Sequence, residues 1–377
     1  MKTTIYFLLT MCVLLFSCYR EAQKGELLEI AVDIDQNFPL PLSDIADEII
    51  AIVPELTDES LVNPDRIQCV LLSEDYVIIA ELDKILVFEK DGKFVRAIGS
   101  VGQGPGEFIG VRNIALDKNN KYLYVHTSTQ KIICYDLITG NYLKESASQI
   151  GTIKSIHYVN DELLLLAQRF VNDEKGYYTQ LSLLYHSNNE LQITDSVLIR
   201  KNYFAQTSRT NEFNRNFILS CNSTIYIYSP EIIPNMSSLP VSFLTDLTEV
   251  VVRDTLYRFE NNHLIPELKL KFKNDGIKVD GNQFINIFSI YRSSRYIFSY
   301  YLNTLNNNLY HFCYDTKTGQ GYNMQDGYTD DTNNIEKLID IHPFKFDMET
   351  FYYWHTHMNP DDLEEPNPTI YIGTLKK

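Results

Sequence analysis

The sequence predicts an all-β chain folded as a six-bladed β-propeller, closed by pairing of its N- and C-terminal strands. Three observations predict it. A short phrase recurs along the chain, each copy is flanked by further strands and tight turns, and the last copy ends the chain one strand short of a full unit. Self-similarity at a period of tens of residues signals an array of like modules and has to be weighed before other fold classes.

The phrase is a β-rich run ending in an aromatic, usually followed by an acid and a polar turn. It reads Ile85-Leu86-Val87-Phe88-Glu89 before Lys90-Asp91-Gly92-Lys93, then Ile132-Ile133-Cys134-Tyr135-Asp136 before Thr139-Gly140-Asn141. It returns as Leu183-Leu184-Tyr185 before Asn188-Asn189, as Leu256-Tyr257-Arg258-Phe259-Glu260 before Asn261-Asn262, and as Phe312-Cys313-Tyr314-Asp315 before Thr318-Gly319. The aromatic positions 88, 135, 185, 259 and 314 lie 47, 50, 74 and 55 residues apart.

A strand precedes each copy, as in Tyr76-Val77-Ile78-Ile79-Ala80, and another follows, as in Phe94-Val95-Arg96-Ala97-Ile98. Short strands rich in Val, Ile, Tyr and Phe, joined by Asp-Gly and Asn turns, form antiparallel hairpins. Four of them per unit make a propeller blade. The sixth unit ends at Thr369-Ile370-Tyr371-Ile372-Gly373, which leaves its outermost strand to come from an apolar N-terminal segment, 28–34 or 49–53. Such pairing removes exposed sheet edges. The only helices expected lie near 333–341 and 347–357.

The first residues read as an export leader. Lys2 gives a positive start, and an apolar run from Ile5 to Phe16 follows, too short to span a hydrocarbon core of about 30 Å as a helix. It ends in Leu15-Phe16-Ser17-Cys18, which resembles a bacterial lipobox: cleavage before Cys18 and lipidation of its thiol are expected. The expected layout is a signal peptide over 1–17, a lipidated tether over 18–27 and one propeller domain over 28–377. Acyl chains would anchor the protein to a membrane without spanning it, at the outer membrane of the cell envelope.

Loss of Lys2 takes the net charge from -16 to -17. Such acidity argues against nucleic acid and anionic lipid headgroups as partners, since both are polyanions. Cys69, Cys134, Cys221 and Cys313 are far apart and form no C-x-x-C pair, so they are expected as small buried core residues, not as a zinc ribbon.

The most specific run is Ala97-Ile98-Gly99-Ser100-Val101-Gly102-Gln103-Gly104-Pro105-Gly106-Glu107-Phe108. With Arg112–Asp117 and Lys131–Asp136 after it, it resembles NHL-repeat propellers, and more closely the six-bladed propeller lipoproteins of gut-type Gram-negative bacteria. The resemblance implies the fold, not a function. The unit carries His126 and Lys131 where NHL blades usually have an Asp and an Arg. Physically, the run crosses from one blade to the next, and Gly102, Gly104 and Gly106 are expected at positive φ with Pro105 stiffening the crossing. A dinucleotide loop is excluded because strand-like residues follow where a helix would have to open.

Candidate chemistry is sparse. His355-Thr356-His357 beside Trp354 could form half of a metal site only if the stretch were a strand, where positions i and i+2 share a face. Asp33-Ile34-Asp35-Gln36-Asn37 starts like a calcium loop, but Phe38 replaces the turn glycine and no Glu closes it. Asp326, Asp330 and Asp331, and Asp361, Asp362, Glu364 and Glu365, read as solvated surface. There is no G-x-S-x-G, H-E-x-x-H or P-loop motif. No catalytic residue, metal or cofactor is assigned.

The reading is therefore a non-enzymatic propeller binding a carbohydrate, a peptide or an envelope partner, with 26 tyrosines and 20 phenylalanines available for an aromatic rim. Two alternatives stay open. One is a polysaccharide lyase or glycoside hydrolase with a carboxylate, His and Tyr site lining the channel; the other is a structural subunit of an outer-membrane complex.

Overall fold

Two-residue turns set the hairpins. Asn160-Asp161, Asn222-Ser223 and Asn261-Asn262 each hold both residues at φ between 47° and 65°. This is the primed turn geometry that matches strand twist, and Asn tolerates it better than most residues. The protein is described from a computed structural model covering residues 27–147, 149–172, 177–205, 210–211, 217–228, 233–234, 254–273, 278–279, 282–283, 285–303, 306–333, 335–357 and 365–377.

The hairpins join into six sheets around an axis. Blade 1 comprises Ile67–Leu72, Tyr76–Glu81, Ile85–Glu89 and Phe94–Ala97 from inside to outside; blade 2 comprises Val111–Leu116, Tyr122–Thr127, Lys131–Asp136 and Tyr142–Ala147. Blade 3 has the longest strands, Thr152–Val159, Glu162–Asn172, Tyr177–Ser187 and Ile193–Ala205. Blade 4 runs Phe217–Cys221, Thr224–Tyr228, Thr255–Glu260 and His263–Phe272, and blade 5 runs Ile285–Arg292, Tyr296–Asn303, Asn308–Asp315 and Gln320–Gln325. Blade 6 is His342–Phe344, Asp347–His355, Thr369–Leu375 and, from the N-terminal part of the chain, Ala46–Ile52. The recurring phrase is the third strand of every blade.

Alternation explains why these strands read as nearly continuous apolar runs. In blade 1, Ile78, Ala80, Ile85 and Val87 pack toward Val111, Leu123, Val125 and Tyr135 of blade 2. Their neighbours Val77, Ile79, Leu86 and Phe88 pack toward Tyr352, Ile370 and Ile372 of blade 6. Both faces are buried, so both sets are apolar.

Of the two candidate closing segments, the second closes the ring. Ala46–Ile52 lies antiparallel to Thr369–Leu375, with Ile50 opposite Ile372 and Ile52 opposite Ile370. The first segment has another place: Leu28–Val32 adds a fifth strand to blade 4, parallel to His263–Phe272. Between them the chain crosses blade 5, where Phe38 N–H donates to the Asn323 carbonyl at 2.8 Å and Gln325 N–H donates to Asn37 Oδ1 at 2.9 Å. The N-terminal segment thus straps blades 4, 5 and 6.

Both expected helices are strands. Ile335–Ile339 pairs with Tyr328–Asp330, and Asp347–His355 is the second strand of blade 6. The aromatic run Phe351-Tyr352-Tyr353-Trp354 favours a pleated surface, and burial of Phe351, Tyr352 and Tyr353 in succession hides the alternation that would mark a strand.

Asn367 locks the closure. Its Oδ1 accepts from Val62 N–H at 2.7 Å, while its Nδ2 donates to the carbonyls of Glu55 and Ser60, both at 3.0 Å. The side chain is buried. Asn367→Ala would strand these backbone groups, so a loss of about 2–4 kcal/mol is expected, read as a lower denaturant midpoint with unchanged m-value.

Candidate functional site: a cleft between blades 3 and 4

The propeller axis is bridged by its own polypeptide. The inner strand of blade 6 is only three residues long, and the chain after it reaches blade 4. Ser220 N–H donates to the Lys345 carbonyl at 2.7 Å, and Ser220 Oγ donates to the Phe346 carbonyl at 3.1 Å. His157 Nε2 of blade 3 lies 3.1 Å from Ser220 Oγ, and Lys345 Nζ reaches Asn113 Oδ1 of blade 2 at 3.4 Å. Only about 50 Å³ remains open beside Pro343, Phe344, Lys345 and Phe346. The polar groups on the axis are largely engaged with one another.

A roomier concavity lies off the axis. In each blade, the turns joining the first to the second strand and the third to the fourth lie at one end. At that end of blades 3 and 4 a cleft of about 380 Å³ opens. The primed turns supply its rim, through Asn160 from blade 3 and Ser223, Asn261 and Asn262 from blade 4. Leu164, Ile225 and Phe259 line it with apolar surface. The volume lies at the low end of the roughly 300–1,000 Å³ typical of small-molecule sites.

Its charged groups are paired. Glu162 Oε2 lies 2.8 Å from His186 Nδ1. Arg258 donates to Glu260 through Nη1 and to Glu267 through Nε at 3.3 Å, and Arg292 holds the other oxygen of Glu267 at 2.6 Å. The other ring nitrogen of His186 is Nε2. That Nε2 is shielded from solvent and has no partner.

The residues singled out from sequence do not meet here. His355 and His357 stack edge to face at 4.7 Å, and His357 Nε2 lies 2.6 Å from Tyr371 Oη, while Trp354 stacks on His342. Asp33 and Asp35 pair with Lys273. Asp330 is buried and accepts from Tyr353 Oη at 2.6 Å, and Asp331 accepts from Ser43. Glu365 is exposed. Cys18, Asp361, Asp362 and Glu364 lie outside the described residues. Among the described residues, no group of three His, Cys, Asp or Glu is placed to hold a metal, and no helix is long and apolar enough to cross a membrane. Cys134, Cys221 and Cys313 are buried and Cys69 partly so, all as thiols.

The glycine run is a structural crossing, with one correction. Gly106 has φ of 72°, but Gly102 and Gly104 do not take positive φ; Gly99 within the run and Gly110 just after it do. The Glu107 carboxylate folds against Gly102 and Gly104 and accepts from Gly104 N–H at 2.8 Å. Glu145 accepts from Gly106 N–H at 3.1 Å and pairs with Lys131 at 3.0 Å. These amides are already met by the chain's own carboxylates.

What the sequence did not single out is the set Glu162, His186, Arg258 and Glu260. The turn Asn261-Asn262 was visible; its convergence with Asn160 depends on blade packing.

The class of protein is thus a six-bladed β-propeller with a bridged axis and an off-axis cleft. Residues 26–368 match the model of the family described as a domain of unknown function, DUF4934, and the chain belongs to that family. It is similar to a crystal structure of a Bacteroides fragilis protein described as exported, with 16% identity and a TM-score of 0.61 over 93% of this chain and 100% of that one. It is also similar to the WD40 repeats of RRP9, at 8% identity and a TM-score of 0.42 over 90% of this chain and 100% of that one. The Neurospora crassa Pan2 WD40 domain matches at 10% identity and a TM-score of 0.39, over 85% of this chain and 80% of that one. Likeness at such identities speaks to fold alone. Among curated proteins no match is found.

Two buried histidines set an acid limit on stability. Burial lowers His126 to about 4, and neither of its ring nitrogens has a bonding partner; nearby Gln130 opposes the shift without meeting hydrogen-bond geometry. Burial lowers His157 to about 3, assisted by the charge of Lys345. Above the ordinary value near 6.5 both states are neutral and nothing is gained. Below it the unfolded chain takes up protons that the folded one refuses, so stability falls as pH drops toward 4. Denaturant midpoints between pH 7 and 4 are expected to fall less steeply in His126→Leu, by up to about 1.4 kcal/mol per pH unit.

Proposed function

We propose that this chain is an exported, lipid-anchored propeller of the cell envelope that holds a carbohydrate or a peptide in the cleft between blades 3 and 4 without transforming it. The observation that carries the binding reading is the contrast between a bridged axis and an open, amphipathic cleft. Fold and exported neighbour both fit a binding or structural role. The leader ending at Cys18 supports export and lipidation at the outer membrane, and the crossing at 97–108 supports an NHL-like subtype. A channel-lining enzyme finds less support, because the groups on the axis are engaged in bridging it.

Two measurements test this. Metabolic labelling with palmitate is expected to mark the wild-type protein and not Cys18→Ser; an unlabelled wild type overturns the anchor. A panel of envelope glycans and short peptides should contain a ligand that raises the thermal midpoint, by an amount equivalent to about 2.7 kcal/mol at a hundredfold excess over Kd. That shift should vanish in Glu162→Gln with Glu260→Gln and persist in Asn113→Ala on the axis. The reverse pattern would move the site to the channel.

A further inference from the structure

We infer that the ligand of the cleft is an uncharged sugar of one or two rings and that anionic ligands are rejected. The inference rests on the reading of this cleft as the binding site and deepens it. Three observations carry it.

The first is charge. Among the described residues no lysine lines the cleft, and the one arginine that does, Arg258, already donates to Glu260 and Glu267. An entering carboxylate or phosphate would meet Glu162 and Glu260 with no uncommitted cation to balance it. Like charges brought together repel, so a uronate or phosphate is disfavoured here unless it draws Arg258 away from its carboxylates. A neutral ligand meets no such obstacle.

The second is the mixture of hydrogen-bonding types. Asn160, Asn261 and Asn262 offer amide donors and acceptors, Ser223 and Thr224 offer hydroxyls, and Glu162 and Glu260 accept only. His186 holds Glu162 in place through Nδ1 at 2.8 Å, which fixes one carboxylate of the rim. Vicinal hydroxyls donate and accept at once, which suits this set. The turn residues Asn160, Ser223, Asn261 and Asn262 are held by backbone geometry, which reduces the ordering a ligand must impose.

The third is the apolar side. Leu164, Ile225 and Phe259, which belong to the core between the two blades, also line the cleft. A pyranose has one face of C–H groups and an equator of hydroxyls, so it suits a lining of mixed polar and apolar side chains. A peptide would bring a charged terminus or a backbone needing a strand partner, and the cleft presents turns where such a partner would have to be a strand edge.

The test uses the full mature chain and saturation-transfer NMR with titration calorimetry. The probes are galactose, xylose, N-acetylglucosamine, maltose and cellobiose, set against glucuronate, galacturonate, inorganic phosphate and trialanine. At least one neutral sugar is expected to bind, with affinity insensitive to salt, and glucuronate, galacturonate and phosphate are expected not to bind. Glu162→Gln, which keeps shape and an acceptor for His186, should weaken the sugar about tenfold or more while leaving the thermal midpoint of the free protein nearly unchanged. Thr224→Ala should weaken it less. Binding of an anion or of trialanine without any neutral sugar, abolished in the cleft variants, overturns the ligand class and leaves the site standing. A neutral sugar that binds equally to wild type and both variants overturns the site. Silence from every neutral sugar overturns the inference.

Discussion

Everything in this molecule depends on one antiparallel pairing, that of Ala46–Ile52 with Thr369–Leu375. Each blade buries one face on the blade before it and one on the blade after it. An open ring would therefore leave two apolar faces in water, the back of blade 1 and the front of blade 6. The pairing joins residues about 320 positions apart, and loop-closure entropy over such a span grows only slowly with length. Burial of Ile52, Val77, Ile79, Phe88, Tyr352 and Ile370 at the seam returns much more. Asn367 fixes the register there by meeting backbone groups on the far side of the seam.

How much of this was legible follows from what each signal encodes. The third strands were readable because Phe88, Tyr135, Tyr185, Phe259 and Tyr314 mark them at similar spacing and turn residues follow. The need for a closing strand was readable too, since a sixth unit at Thr369–Gly373 needs an outermost strand and the apolar N-terminal segments could supply it. Choosing between 28–34 and 49–53 was not possible, because both are apolar and both become outer strands, one on blade 4 and one on blade 6. The helix expectation failed at 347–357 because strands buried on both faces lose the period of two.

The cleft was illegible for a different reason. Glu162 follows a blade 3 turn, and Glu260 precedes a blade 4 turn almost a hundred residues later; only packing of neighbouring blades brings them to one opening. The glycine run shows the opposite case. Its residues are distinctive in sequence, yet their amides are met by Glu107 and Glu145. Conspicuous residues here serve the crossing, and inconspicuous ones line the opening. A bridged axis fits this division: with the 343–346 segment at the centre, the open space described lies at a seam between blades.

The N-terminal strap has a kinetic corollary. A chain made from its N-terminus presents residues 28–52 first, yet their partners lie in blades 4, 5 and 6. At a synthesis rate of about 5–20 residues per second, the strand opposite Ile50 follows it by some tens of seconds. Leu28–Val32 can dock once blade 4 has emerged, but Ala46–Ile52 has no partner until the end of that interval, and the ring cannot close before then. A ring whose closure waits for the seven-residue strand Thr369–Leu375 stays threadable until that strand has been made.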